Sequence, residues 1–261
     1  MIPMSTGDRP QITTTASLPS SPLDVIYSTG LQSNPYSTCA VSLSVPEATG
    51  TGSATSNISA SPAGCSGIFG VYGSLSGTTT QNAIEVVIPP QSLIQVLYGE
   101  AHGQAVTGDA VSELAIGATI RNRFGDSVYF PGINTYQNAI TPSQFMGINT
   151  NITTGTTPEL NNAALIYGGV TTDAMNVANS KCFFTPDADG WNKIRAALNQ
   201  PSVTVGTTVT SNPGCFRIPS SSNQQFVYKQ SIGNNANGSG APAFILVQWK
   251  RSSDPAVIQI P

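Results

Sequence analysis

The chain has 261 residues, of which 39% are hydrophobic and 9% are charged, and its net charge is −3 at pH 7. This length suits one large domain or two small ones, and the apolar content suffices for a packed core. The charged fraction is far below the roughly 25% of ordinary soluble domains. Because acidic residues outnumber basic ones, the chain lacks the basic surface of a nucleic-acid-binding protein.

The chain contains no stretch of roughly 20 apolar residues, so no membrane span is predicted. Its first ten residues lack the basic and apolar segments of a signal peptide. The abundance of Ser, Thr, Asn and Gly is nevertheless typical of secreted bacterial proteins. We therefore expect an extracytoplasmic protein whose export signal is not visible in these residues.

The cysteines bear on the compartment and on metal binding. The chain has a single histidine and no Cys-x-x-Cys pair, so neither a metal site nor a cofactor is expected. Four cysteines allow three pairings, of which the sequence-local one joins Cys39 to Cys65 and Cys182 to Cys215. Four reduced, buried thiols are the alternative, but the even count and the polar composition favour disulfides in an oxidising compartment.

Residues 10–89 have the pattern of a β domain. Short runs of β-forming residues alternate with turn residues, and residues 40–45 alternate strictly between apolar and polar side chains. This pattern indicates an antiparallel immunoglobulin-like sandwich. Residues 1–9, which precede it, are expected to be disordered. The predicted strands span residues 11–17, 40–45, 53–60, 68–75 and 83–88.

Residues 90–261 change to a helical period. After Pro89-Pro90, Ser92 is a candidate N-cap for an apolar helix that closes at Gly99. A second apolar helix is predicted over residues 110–124. Further helices are predicted over residues 159–167, 173–178 and 191–198, and late strands over residues 225–230 and 243–249.

The candidate acid of this second part is Glu100, which directly follows the apolar helix. Gly99 and Gly103 flank it and allow the backbone to turn sharply. A carboxyl group that is partly desolvated stays protonated nearer to neutral pH, as a general acid requires. The alternative is an ordinary solvated glutamate at a helix end.

From Leu93 to about Trp249 the chain resembles the spore-cortex-lytic (SleB-type) cell wall hydrolases. The catalytic part of that family begins with an apolar helix that runs into Tyr-Gly-Glu-Ala-Arg-Gly. The family continues with a helix ending in Asn-Arg, then a Phe-Pro pair and a Gln-Phe pair. The same order is found here in Tyr98-Gly99-Glu100-Ala101-His102-Gly103, Asn122-Arg123, Phe130-Pro131 and Gln144-Phe145.

The resemblance implies a lysozyme-like domain that cleaves peptidoglycan between N-acetylmuramic acid and N-acetylglucosamine. Glu100 would first protonate the leaving oxygen and then deprotonate the C6 hydroxyl of the muramic acid, which yields a 1,6-anhydro sugar. The expected fold class is α+β: an immunoglobulin-like sandwich followed by a mostly helical lysozyme-like domain with a small β-sheet over residues 90–261. The protein is expected to be a monomer. Predicted substrate-binding residues are Tyr98, Gln144, Phe145 and Tyr228, although core packing is an equal alternative for Tyr98 and Phe145.

The chain departs from the family beside the candidate acid. His102 replaces an arginine, Gln104 replaces a common glutamate, and the segment that follows is about four residues longer. Predicted supporting residues near the site are His102, Glu113 and Asn122. Two alternatives stay open: an inactive wall-binding module, and a hydrolase in which Asp109 or Glu113 is a second carboxylate. Both carboxylates also suit the start of a helix, where the macrodipole favours negative charge.

Overall fold

A computed structural model describes residues 1–15, 22–31, 38–76, 81–105, 110–127, 130–141, 145, 148, 151, 157–169, 182–186, 203–204, 209–211, 225–234 and 242–249. The chain forms two compact units. The first unit contains Met1–Gln91 and Thr153–Gly168, and the second contains Ser92–Ile152 and Gly169–Pro261. The chain therefore leaves the first unit after the β region and returns to it for one short segment.

The first unit is built on a curled, mixed sheet of five strands in the order β1-β8-β7-β3-β5. Only the β1–β8 pair is parallel, and the other neighbours run antiparallel. The strands are β1 (Ile2–Pro3), β3 (Pro22–Leu31), β5 (Glu47–Thr51), β7 (Gly67–Leu75) and β8 (Gln81–Ile88).

A second sheet of three antiparallel strands covers the first, in the order β2-β6-β4. Its strands are β2 (Gln11–Thr15), β4 (Ala40–Leu43) and β6 (Ser53–Ser61). In β6, buried Ala54, Ser56, Ile58 and Ala60 alternate with more exposed neighbours, because successive side chains of a strand point to opposite faces. The buried faces of both sheets contribute to one core, which includes Ile12, Val25, Ile58, Val71 and Val86.

The N-terminal residues are part of this core, so the predicted disorder of residues 1–9 is wrong. Ile2 pairs with Val86 and Pro3 with Val87, and Met4 is fully buried. The amide of Met4 donates to the carbonyl of Val87 over 3.0 Å. A terminus becomes ordered when a sheet takes it up, and no local composition signal reveals such a long-range pairing.

Tyr27 joins the two sheets through its hydroxyl group. Its ring is buried, and the hydroxyl donates to the carbonyl of Ala54 over 2.8 Å. The hydroxyl of Thr14 lies 2.9 Å from the same oxygen. Because the single phenolic proton goes to Ala54, Thr14 is the donor of the second bond.

Replacing Tyr27 by phenylalanine should destabilise the first unit by about 1–2 kcal/mol, since it removes the partner of the buried carbonyl of Ala54 and of the part-buried hydroxyl of Thr14. Differential scanning calorimetry would measure the change. Tyr72→Phe is the matched control, because Tyr72 is only half-buried on the same sheet. Equal melting temperatures for the Tyr27 variant and the wild type would contradict the role assigned to this hydroxyl.

The predicted disulfide between Cys39 and Cys65 is confirmed, with an S–S distance of 2.01 Å. It joins the residue before β4 to the residue two positions before β7. Disulfides are typical of proteins outside the reducing cytosol. The second predicted pair, Cys182 with Cys215, lies outside the residues whose side chains the structure describes.

Cleaving the Cys39–Cys65 bond by replacing both residues with serine should lower the stability of the first unit by about 3.5 kcal/mol in the chain-entropy model. The estimate follows from a sequence separation of 26 residues. Calorimetry of the oxidised wild type, the reduced wild type and the double variant would test it. An unchanged melting temperature on reduction would show that the closed loop does not constrain the unfolded chain.

The first unit also contains a helix, so it is not the all-β immunoglobulin-like sandwich that was predicted. Helix α4 (Thr157–Tyr167) packs on β1 and β8. Its buried face includes Ala163, Ala164 and Ile166. The amide of Gly168 closes the last turn on the carbonyl of Ala164 over 2.8 Å, and Gly169 follows at a φ of 76°. The predicted helix over residues 159–167 is thus confirmed, but it belongs to the β-rich unit.

Among the residues that the structure describes, the second unit combines three helices with a five-stranded antiparallel sheet. Its helices are α1 (Gln91–Ala105), α2 (Ala110–Arg121) and α3 (Tyr136–Ala139). The sheet has the order β10-β12-β13-β9-β11. Its strands are β9 (Cys182–Pro186), β10 (Val203–Thr204), β11 (Val209–Ser211), β12 (Gln225–Asn234) and β13 (Pro242–Trp249).

This composition overturns the predicted mostly helical, lysozyme-like domain. Its sheet is no small addition, because β12 and β13 are 10 and 8 residues long and α2 packs against β12 and β9. The strands predicted over residues 225–230 and 243–249 are confirmed, and they form a hairpin with a register shift between Tyr228 and Gln230. The predicted helices over residues 173–178 and 191–198 lie outside the described residues.

Candidate functional site

Helix α1 carries the candidate acid. It begins at Gln91, directly after Pro89-Pro90, so Ser92 lies inside the helix and is not its N-cap as predicted. It also continues past Gly99 to Ala105, six residues beyond the predicted end. Burial explains the extension, because Ala101 continues the apolar face and packing outweighs the roughly 1 kcal/mol cost of a helical glycine.

Glu100 projects from the apolar side of α1. Residues three and four positions apart lie on one helix face, and the residues four and three positions before Glu100 are Val96 and Leu97, both fully buried. Ala101 is buried as well, whereas Glu100 and Tyr98 are half-buried. Glu100 therefore lies beside an apolar helix face and keeps part of its solvent exposure. A proton donor to a bound substrate needs this combination.

The structure places only part of the remaining predicted site. His102 lies on α1 and Tyr228 on β12, but their side chains are outside the described residues. Gln104 also lies on α1, and its side chain is likewise outside the described residues, whereas Gln144 and Asp109 are outside the described residues altogether.

Glu113 lies in the first turn of α2 and is fully buried. Its place in the first turn agrees with the alternative that the macrodipole favours negative charge at a helix start, and its burial shows that this side chain is covered by the rest of the unit. All residues from 112 to 120 are buried, which is typical of a helix enclosed on every side. The hydroxyl of Thr119 is accommodated by donating to the carbonyl of Ala115 over 2.8 Å. Helix α2 is thus a central element of the second unit.

A tight turn follows α2 and brings Arg123 into the interior. The hydrogen bonds change to the i−3 pattern, with the amides of Arg123 and Phe124 donating to the carbonyls of Ile120 and Arg121, each over 3.1 Å. Gly125 then adopts a φ of 73°, a conformation that favours glycine. Asn122, a predicted supporting residue, lies in this turn and is half-buried.

Arg123 is fully buried between two aromatic rings. Its guanidinium carbon lies 4.8 Å from the ring centroid of Phe130 and 5.0 Å from that of Phe145. Desolvation by burial lowers the pKa of Arg123 to about 9, so the group keeps its positive charge at neutral pH. The negative faces of the two rings stabilise this charge where water cannot reach it. We call Arg123, Phe130 and Phe145 the arginine cluster.

Backbone hydrogen bonds hold both rings in place. The amide of Phe130 donates to the carbonyl of Asp126 over 3.1 Å, and the amide of Phe145 donates to that of Thr141 over 3.0 Å. Phe145 is fully buried, which corresponds to the core-packing alternative for this residue and not to a ring on an open groove. The cluster is therefore part of the interior of the second unit.

The structure thus brings together three of the four motif segments on which the resemblance depends. These three segments were identified as separate matches, and no role was predicted for Arg123. The signal that could have found it is an arginine in a turn just after an apolar helix, followed by phenylalanines. The planar guanidinium of arginine stacks on aromatic rings.

Among the described residues, no group of three His, Cys, Asp or Glu side chains is arranged to hold a metal ion. Within the same residues, no helix is long and apolar enough to cross a membrane. The sequence matches no protein-family model and no curated protein.

Proposed function

We propose that this protein cleaves the glycan strands of bacterial peptidoglycan at the bond between N-acetylmuramic acid and N-acetylglucosamine, with Glu100 as the catalytic residue. The observation that carries the proposal is the position of Glu100 on the apolar side of α1, half-buried beside Val96 and Leu97. The proposal does not need a lysozyme-like fold, since function depends on the site rather than on the scaffold.

The arginine cluster gives the proposal independent support. The matches to the cell wall hydrolases were identified only from their order along the chain. One side chain from each of three matched segments belongs to the arginine cluster, so these three positions share a structural role. Residues that belong together in this way are better evidence of a common site architecture than the same residues scattered over a surface.

The proposed reaction uses one carboxyl group twice. Protonated Glu100 gives its proton to the glycosidic oxygen as the bond to C1 of the muramic acid breaks. The carboxylate then takes the proton of the C6 hydroxyl, and the C6 oxygen bonds to C1. A 1,6-anhydro ring and a free N-acetylglucosamine hydroxyl result, and no water is consumed. The burial of Glu113 inside α2 favours this scheme over hydrolysis with Glu113 as the second carboxylate.

The products of the reaction test the proposal. Purified protein is incubated with peptidoglycan sacculi, and the soluble products are reduced with borohydride and identified by mass. We expect anhydro-muropeptides, which are one water lighter than hydrolytic products and resist the reduction. Reducible muropeptides would instead indicate hydrolysis. Retained binding to sacculi without release of products would overturn the proposal and indicate a wall-binding module.

A further inference from the structure

The first unit contains a groove between β2 and the large sheet, which we call the β2 groove. Its volume is about 460 Å³. No lining residue is charged, and hydroxyl groups of threonine, serine and tyrosine alternate with apolar side chains. The lining includes Thr13, Thr14 and Thr15 of β2, Val25 of β3, Val71 and Leu75 of β7, and Ile84 of β8.

The main chain of β2 also faces this groove. Residues 12–15 are four consecutive positions, and all of them line it. Side chains of a strand alternate between two faces, so four consecutive lining residues mean that the edge of the strand itself is exposed to the groove. Among the strands that the structure describes, β2 pairs only with β6 and lies at the end of its sheet.

The register shows which main-chain groups are available. The amide of Ile58 donates to the carbonyl of Pro10 over 2.9 Å, so Pro10 opposite Ile58 is a hydrogen-bonded pair. Such pairs alternate along an antiparallel ladder. The main-chain groups of Ile12 and Thr14 therefore point toward β6. Those of Gln11, Thr13 and Thr15 point to the opposite edge.

We propose that the β2 groove binds an extended, uncharged peptide segment of a partner protein, which adds to β2 as a further strand. The main-chain groups of Gln11, Thr13 and Thr15 pair with the peptide backbone, in the manner of β-strand addition. Alternate peptide side chains contact Leu75 and Ile84, the apolar lining residues that are exposed or only partly buried. The class of peptide follows from the lining, because a charged side chain would lose its hydration there without gaining a partner.

This inference is independent of the proposed glycan cleavage. The groove lies in the first unit, and none of its lining residues belongs to the second unit, which contains Glu100. Loss of either activity would leave the other in place. A short uncharged strand edge also differs from the β5 edge of the large sheet, where Glu47 is exposed and works against strand addition.

The test uses the fluorescein-labelled peptide acetyl-Val-Thr-Val-Thr-Val-amide and fluorescence anisotropy with the full chain. Thr13→Pro removes an amide that points to the free edge while keeping the groups that bond to β6, and proline is tolerated at such edge positions. We expect at least a tenfold weaker affinity for Thr13→Pro and an almost unchanged affinity for Thr13→Ala. A peptide with glutamate at its centre should also bind at least tenfold more weakly. Calorimetry confirms that both variants fold.

Three outcomes would overturn the inference. Equal binding by Thr13→Pro and Thr13→Ala would show that the edge of β2 is not used. Absence of binding together with slow hydrogen exchange of the Thr13 amide would show that the edge is already paired. A dimer in light scattering that Thr13→Pro converts to a monomer, without peptide binding, would assign the edge to a second copy of this chain.

Discussion

Replacing Glu100 by glutamine is expected to lower the rate of anhydro-muropeptide release by about 10³-fold, the range in which single acid–base groups act. Glutamine keeps the size and most of the polarity of the side chain, but it can neither give up nor take a proton at neutral pH. The loss should appear in kcat more than in KM, because proton transfer occurs in the transition state and not on binding. Release of soluble products from labelled sacculi measures the rate.

The matched control for this variant is Glu85→Gln. Glu85 is also half-buried, but it lies on β8 of the first unit. Its replacement should leave product release within a factor of two, on the order of what a surface change does. If Glu100→Gln is about as active as the control, Glu100 takes no part in the reaction. Hydrolysis by another carboxylate would then be the remaining enzymatic scheme.

Replacing Arg123 by alanine is expected to destabilise the second unit by about 3–5 kcal/mol. Two desolvated cation–π contacts and the packing of the long side chain are lost together. Lysine keeps the charge, but it has no planar group to stack on Phe130 and Phe145, so about half of that loss is expected for Arg123→Lys.

The measurement can be confined to the second unit. Both tryptophans, Trp191 and Trp249, belong to the chain segment of that unit, so their fluorescence during urea unfolding reports on it. Arg121→Ala is the matched control, since Arg121 is two residues earlier and only half-buried. A loss for Arg123→Ala no larger than that for Arg121→Ala would show that the arginine cluster contributes little to stability.

Helices and strands were predicted well where their apolar residues recur at one regular spacing. The alternating strand β4, the apolar helix α2 and the strands β12 and β13 were all predicted near their observed positions. Strands β3 and β5 were missed, because turn residues such as Ser21-Pro22 and Thr49-Gly50 suggested breaks at their ends. Both are paired along much of their length by neighbours that are distant in sequence, and tertiary pairing outweighs local turn preference.

The order of motif residues indicated Glu100, whose catalytic role stays a prediction. The structure places this residue half-buried on α1. The burial of Phe145 and Glu113 could not be predicted, because burial depends on which elements cover a residue and not on its neighbours along the chain. Arg123 illustrates the same limit, since its two aromatic partners come from a loop and a later turn.

The sequence by itself determined the β-rich character of the first 90 residues, the Cys39–Cys65 pairing and the apolar helices that carry Glu100 and Glu113. These features depend on the spacing of apolar side chains and on pairings between residues that are a few to about thirty positions apart in the sequence. Only the tertiary structure decided that α4 returns to the first unit and that residues 1–4 belong to its core. It also decided that the second unit contains a five-stranded sheet and not a helical bundle. Long-range pairing and burial decide such features, and their free energy depends on contacts that no local segment contains.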